Sequence, residues 1–232
     1  MAKAESIPMP VPDEVEHPAF VPTPPGVERP PERHWWGRHV RELRWQAELG
    51  RLLVDPVYRG VGIPHGDGSP VLLIPGFLAG DESLRVLGGW LERIGYEPRR
   101  SGIHVNVDCS DRALNRLEAR LQVIAGETGR KAVLIGHSRG AHFAKALACR
   151  RPELVSRAIS LGAGLDTPFD ISVPTKAAVA AVGAVHRRTT DRGGRQGCLT
   201  DTCRCRFAQD YAAPFPPGVP LTSIYSREDG VV

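Results

Sequence analysis

Ile135-Gly136-His137-Ser138-Arg139-Gly140 is the stretch whose reading decides the fold. It contains Gly-x-Ser-x-Gly, which alone is a weak signal. The apolar run Lys131-Ala132-Val133-Leu134-Ile135 ahead of it reads as a buried strand. Ala141-His142-Phe143-Ala144-Lys145-Ala146-Leu147-Ala148-Cys149 behind it reads as a helix. A serine on so tight a strand-to-helix turn sits in strained backbone geometry, and the flanking Gly136 and Gly140 let strand and helix approach closely. Ser138 is then expected to project its hydroxyl above the carboxyl edge of a sheet, at a helix N-terminus that favours negative charge.

Working outward, residues from 70 onward alternate between strands and helices. Val71-Leu72-Leu73-Ile74 reads as a buried strand stopped by Pro75-Gly76. A helix is expected over 83–94, a strand near Pro98–Val105, and an amphipathic helix over 111–125 with Leu114, Leu117, Leu121 and Ile124 on one face, capped by Ser110 or Asp111. Further strands are expected near Arg157–Leu161 and over Leu221–Tyr225. Near-continuous apolar strands alternating with helices predict an α/β fold, a mostly parallel sheet covered on both faces.

Three segments stand outside that alternation. Residues 1–33 are proline-rich and read as a flexible arm, leaving 34–232 as the folded domain. Residues 35–53 look like a basic helix bearing Trp36, Val40, Leu43 and Ala47 at helical spacing. Packing on the domain is the favoured reading of that helix, with peripheral membrane contact through residues 35–53 as the other. Residues 166–217 are too long for an ordinary connection and are expected to form a cap or lid insertion over the Ser138 turn.

Composition narrows the classes. The chain has 232 residues, 41% hydrophobic and 24% charged, with a net charge of +4 spread over scattered arginines. No block of like charge suggests a nucleic-acid partner. No run has the length of a membrane span, and no apolar signal-peptide core follows Met1, so the expected location is cytoplasmic. Five cysteines in that setting read as thiols. Cys198-x4-Cys203-x-Cys205 with His186 lacks the spacing of a known zinc site, and a metal is not the favoured reading.

A serine nucleophile needs a base, an acid that orients the base, and donors for the developing oxyanion. The amide of Phe77 is the favoured first donor, with Leu78 the alternative, and the amide of Arg139 is the second. Asp229, in the turn after the last strand, is the favoured acid, and Asp166 the fallback. His104, His137, His142 and His186 are poorly placed for the base, and no histidine follows Asp229.

Gly136-His137-Ser138-Arg139-Gly140, Leu73-Ile74-Pro75-Gly76-Phe77 and Tyr225-Ser226-Arg227-Glu228-Asp229-Gly230 together resemble the α/β-hydrolase superfamily, in particular its bacterial lipase- and esterase-like members. The similarity runs over about residues 65–232 in order and spacing. It implies hydrolysis of a small-molecule or lipid carboxylic ester through an acyl-serine intermediate, with no metal and no cofactor. By matching positions it makes Ser138 the nucleophile and Asp229 the acid, with the amides of Phe77 and Arg139 in the oxyanion hole. Nothing matches the family's catalytic histidine, nor the last strand and helix that follow the acid, so the sequence reads as a truncated copy. The alternatives are a catalytically inactive binding protein or relic of the same fold, and an acyltransferase.

Overall fold

The computed structural model describes residues 45–165 and 205–225, with Ala177 and Ala181 as isolated helical positions. The arm 1–33, most of the expected cap, Asp166, His186, Cys198, Cys203 and Asp229 lie outside the described residues.

Strands β1 (Pro70–Ile74), β2 (Glu97–Arg100), β3 (Ala132–His137), β4 (Val155–Leu161) and β5 (Leu221–Ile224) form one sheet in the order β2-β1-β3-β4-β5. Every neighbouring pair is parallel. All residues of β1 are buried, because its side chains alternate between two cores. Val71 and Leu73 join Leu91, Ile94 and Ile135 on the face covered by α2 (Arg85–Arg93). Leu72 and Ile74 join Leu114, Leu117, Leu121, Leu134, Phe143 and Leu147 on the face covered by α3 (Ser110–Thr128) and α4 (Arg139–Arg150). The continuous apolar run at 71–74 is thus the consequence of a strand covered on both sides.

The helix expected over 83–94 begins as a turn at Asp81–Leu84 and continues as α2. The strand expected near Pro98–Val105 is shorter, ending at Arg100. Asp81 draws the chain away from the sheet there. Its carboxylate accepts from the Ser101 amide at 3.1 Å, the Ser101 hydroxyl at 2.6 Å and the Gly102 amide at 2.9 Å, and Gly102 turns at φ 80°. Residues 103–107 then fold back towards the loop after β1. Of the helix expected over 35–53, the described part is α1 (Trp45–Val54), on which Leu52, Leu53 and Val54 are exposed.

One expectation needs correction. Residues 205–217 are not part of a cap. They carry α5 (Arg206–Ala212), whose Phe207 and Tyr211 are buried in the core under α3 and α4. Phe207 meets Phe143 edge-on at 5.6 Å. Arg150, with its side chain 1% exposed, ties the three helices together. It donates to Asp210 of α5 at 2.6 Å, and to Asn115 at 2.8 Å and Glu118 at 3.2 Å of α3. Burial works against charge on Glu118, but the guanidinium hydrogen bonds of Arg151 and Arg150 outweigh it and hold its carboxyl below the ordinary value. A cap reading therefore applies at most to residues 166–204.

His142 of α4 belongs to the same core. It is 7% exposed, stands edge-on to Tyr211 at 5.6 Å, and has Nε2 3.1 Å from the Gly164 carbonyl. A carbonyl only accepts, so Nε2 carries the proton of a neutral ring. Burial pushes its pKa down from 6.5 to about 4. The Gly164 carbonyl opposes that shift, and the charges of Arg139 and Lys145 add to it.

Two stability measurements follow from this packing. Phe207→Ala should cost about 3–5 kcal/mol in denaturant unfolding, the loss expected of a core phenylalanine; a loss below about 1 kcal/mol would place α5 outside the core. For His142 the unfolded state takes up its proton first as the pH falls below 6.5. Its contribution is therefore complete above that value and is lost progressively down to about pH 4. The loss amounts to about 3 kcal/mol. His142→Gln should flatten the unfolding free energy between pH 7 and 4 relative to the parent, since the carboxylates titrate alike in both; identical slopes would contradict the buried neutral ring.

Candidate active site

The sheet order places a topological switch point between β1 and β3. The chain leaves β1 towards β2 on one side and leaves β3 towards β4 on the other. Open α/β sheets bind ligands in the crevice outside the carboxyl ends of strands at such a point. Two loops meet there: Pro75–Ala79 after β1, and the turn at Ser138 after β3.

Close packing dictates the shape of that turn. A Cβ on Gly136 would fall inside the Gly140 carbonyl and the Ala141 amide, and one on Gly140 would fall inside the Ile74 and Pro75 carbonyls at the end of β1. Only glycine fits at either position. A Cβ on Gly76 would lie 3.0 Å from His137 Nδ1 and 3.3 Å from Ser138 Cβ, so the loop after β1 rests directly against the turn.

Ser138 itself has φ 49° and ψ −120°, one of two described non-glycine residues with positive φ. It occupies the N-cap of α4, where a serine ordinarily accepts from an amide of the first turn. Its side chain makes no such bond. The backbone is held instead. The Ser138 amide donates to the Leu161 carbonyl at 2.8 Å, and the Ser138 carbonyl accepts from Ala141 at 2.8 Å. The hydroxyl is thus displaced from the cap role by the same strain that fixes the turn.

The loop after β1 is equally constrained. Leu78, the other positive-φ residue at 60°, donates its amide to the Asn106 carbonyl at 3.3 Å, and the Ala79 amide donates to Gly76 at 3.2 Å. The Leu78 amide is thus engaged, whereas the Phe77 amide just before them makes no hydrogen bond among the described residues. The Arg139 amide stands at the N-terminus of α4, where the helix dipole favours negative charge.

Asn106, not singled out from the sequence, is 2% exposed and lies across this loop. Its Nδ2 donates to the Pro75 carbonyl at 2.7 Å, and its amide donates to Ala79 at 2.9 Å. The Arg139 guanidinium donates to the Asn106 carbonyl at 3.0 Å and Oδ1 at 3.1 Å, and to the Asp108 carbonyl at 2.6 Å. It also lies over the Phe143 ring at 5.1 Å. A polar residue between Val105 and Val107 was the available sequence signal, since a buried asparagine is retained where it is bonded.

His65, His104 and His137 are exposed, and His142 is committed to Gly164. Neither of the candidate acids is described. The end of β5 stands beside the loop after β4, since the Gly162 amide donates to the Ile224 carbonyl at 2.8 Å. Cys205 packs against the main core. Among the described residues no group of three or more histidine, cysteine or acidic side chains is arranged for a metal ion, and no helix is long and apolar enough to cross a membrane.

No family model matches the chain, and no curated protein matches it. Solved structures do. A soluble variant of monoglyceride lipase from Saccharomyces cerevisiae, in complex with a substrate analogue, is 16% identical over 72% of this chain and 72% of its own, with a TM-score of 0.50. A lipase of Bacillus licheniformis in its mature form is 18% identical, with a TM-score of 0.40, over 57% of this chain. The chain spans about half of that lipase's length, 54%. A methylesterase from Arabidopsis is 23% identical over 41% of this chain and 44% of its own, with a TM-score of 0.37. With its parallel sheet, strand order and glycine-flanked serine turn, this chain has the α/β-hydrolase fold, as the monoglyceride lipase structure does.

Proposed function

We propose that the protein is a serine hydrolase that cleaves a carboxylic ester of small-molecule or lipid type through an acyl-serine intermediate. The observation that carries this reading is the strained Ser138 turn, with the hydroxyl displaced from its capping role at the switch point of the sheet. The uncommitted Phe77 amide beside it supports the reading further.

In the proposed reaction Ser138 Oγ attacks the ester carbonyl carbon and passes its proton to a general base. The carbonyl oxygen becomes an oxyanion facing the amides of Phe77 and Arg139, where fixed donors act with little reorganisation. Collapse of the tetrahedral species expels the alcohol, which takes the proton from the base. Water then attacks the acyl-serine by the same route, releasing the acid and restoring the hydroxyl. Asp229 is the proposed acid that orients the base, with Asp166 the fallback. The base is proposed to be a group outside residues 45–165 and 205–225, since His142 is bonded to the Gly164 carbonyl and His104 is exposed. The exposed Leu52, Leu53 and Val54 of α1 support peripheral contact with a lipid surface through residues 35–53.

That placement of the histidines favours one second reading, a binding protein of this fold that does not turn over. The two readings separate on release of nitrophenol from a short-chain nitrophenyl ester. Hydrolysis by Ser138 predicts measurable release that falls at least about a thousandfold in Ser138→Ala. Full activity in that variant would contradict the assignment, and no Ser138-dependent release would favour the binding protein. Ester formation with an added alcohol would identify acyl transfer.

A further inference from the structure

The loop that carries the Phe77 amide is held in a conformation it would not adopt alone. Leu78 sits at φ 60° without being glycine. Such a conformation is disfavoured for a residue with a side chain and persists only where its surroundings over-determine it. Here Asn106 supplies the surroundings. It bonds on both sides of Phe77, to the Pro75 carbonyl before it and to the Leu78 amide and Ala79 carbonyl after it. Asn106 is in turn held by the Arg139 side chain through both its backbone and side-chain oxygens. Arg139 is anchored on the Asp108 carbonyl, the Ser110 hydroxyl at 3.2 Å and the Phe143 ring.

We propose that Asn106 and the Arg139 guanidinium are positioning residues that set the aim of the Phe77 amide at the reacting oxygen, locking the two oxyanion donors into one rigid unit. This rests on the reading of Ser138 as the nucleophile. The residue whose amide is one donor reaches, through its side chain, the residue that fixes the other. An oxyanion site works by donors held at the transition-state position before the oxygen arrives, so looseness here lowers the rate of the chemical step more than it weakens ground-state binding. Asn106 lies 2% exposed, so its polar atoms have no water to exchange with, and each bond it makes is correspondingly rigid.

The test pairs kinetics with hydrogen exchange on the full chain. Asn106→Ala removes the side-chain link to Pro75 and the Arg139 contact to Oδ1; Arg139→Met keeps an apolar stem over Phe143 and removes the guanidinium. Both should lower kcat for a nitrophenyl ester about 10- to 100-fold, approaching the effect of losing one oxyanion donor. KM should change less than about threefold, the sign of an interaction realised in the transition state. Exchange over residues 76–80 should rise at least about tenfold, while exchange in β1 and β3 stays at the parental level. Arg139→Lys, which keeps a single donor, should recover part of the kcat loss. Unchanged kcat or unchanged exchange over 76–80, with Ser138-dependent turnover intact, would overturn the clamp alone. An equal rise in exchange throughout the sheet would also overturn it, reducing both residues to general stability. Absence of Ser138-dependent turnover in the parent would overturn the reading beneath it.

Discussion

Where α4 leaves β3 over the end of β1, there is no room for a Cβ. Gly136 faces the first turn of its own helix, and Gly140 faces the last carbonyls of β1. Strand, helix and neighbouring strand are thereby brought to backbone contact, and the residue between the glycines absorbs the bend. That residue is Ser138, held at φ 49°. The strain, on the order of 1–3 kcal/mol, is sustained by the packing of β1, β3 and α4 around it. The serine stands at the N-cap of α4 without its hydroxyl making the cap bond that a serine ordinarily makes there.

The sheet then determines what meets that hydroxyl. Because β1 and β3 feed connections to opposite sides, the loops after them border one crevice, and Gly76 lets the first rest on the second. Further along the edge, the loop after β4 is fixed by donors from the helices behind it. His142 bonds Gly164, while Tyr211 and Lys145 both bond the Leu165 carbonyl at 2.9 Å. The core under α3, α4 and α5 is thus continuous with the loop after β4.

Much of this was legible in the sequence because the signals were local. The apolar run at 71–74, the Leu114–Ile124 stripe and the glycines around Ser138 each report their own environment within a few residues. The turn after β1 was legible from the strand-ending Pro75-Gly76, but the bond of the Leu78 amide to Asn106, far along the chain, was not. The strand near Pro98–Val105 was read too long because apolar Ile103 and Val105 continue the pattern, while Asp81 ends the strand from outside it. Residues 205–217 were read as cap because they follow a long irregular stretch; the burial of Phe207 and Tyr211 depends on Arg150 and Phe143, which local periodicity does not reveal.

If Ser138 is an activated nucleophile, covalent labelling will report it. The full chain would be treated with an alkyl fluorophosphonate, digested, and mapped by mass spectrometry. An activated serine predicts a single phosphonyl adduct on Ser138, blocked by prior incubation with a slowly hydrolysed ester. An adduct on another residue, or none at Ser138 while ester hydrolysis proceeds, would contradict it.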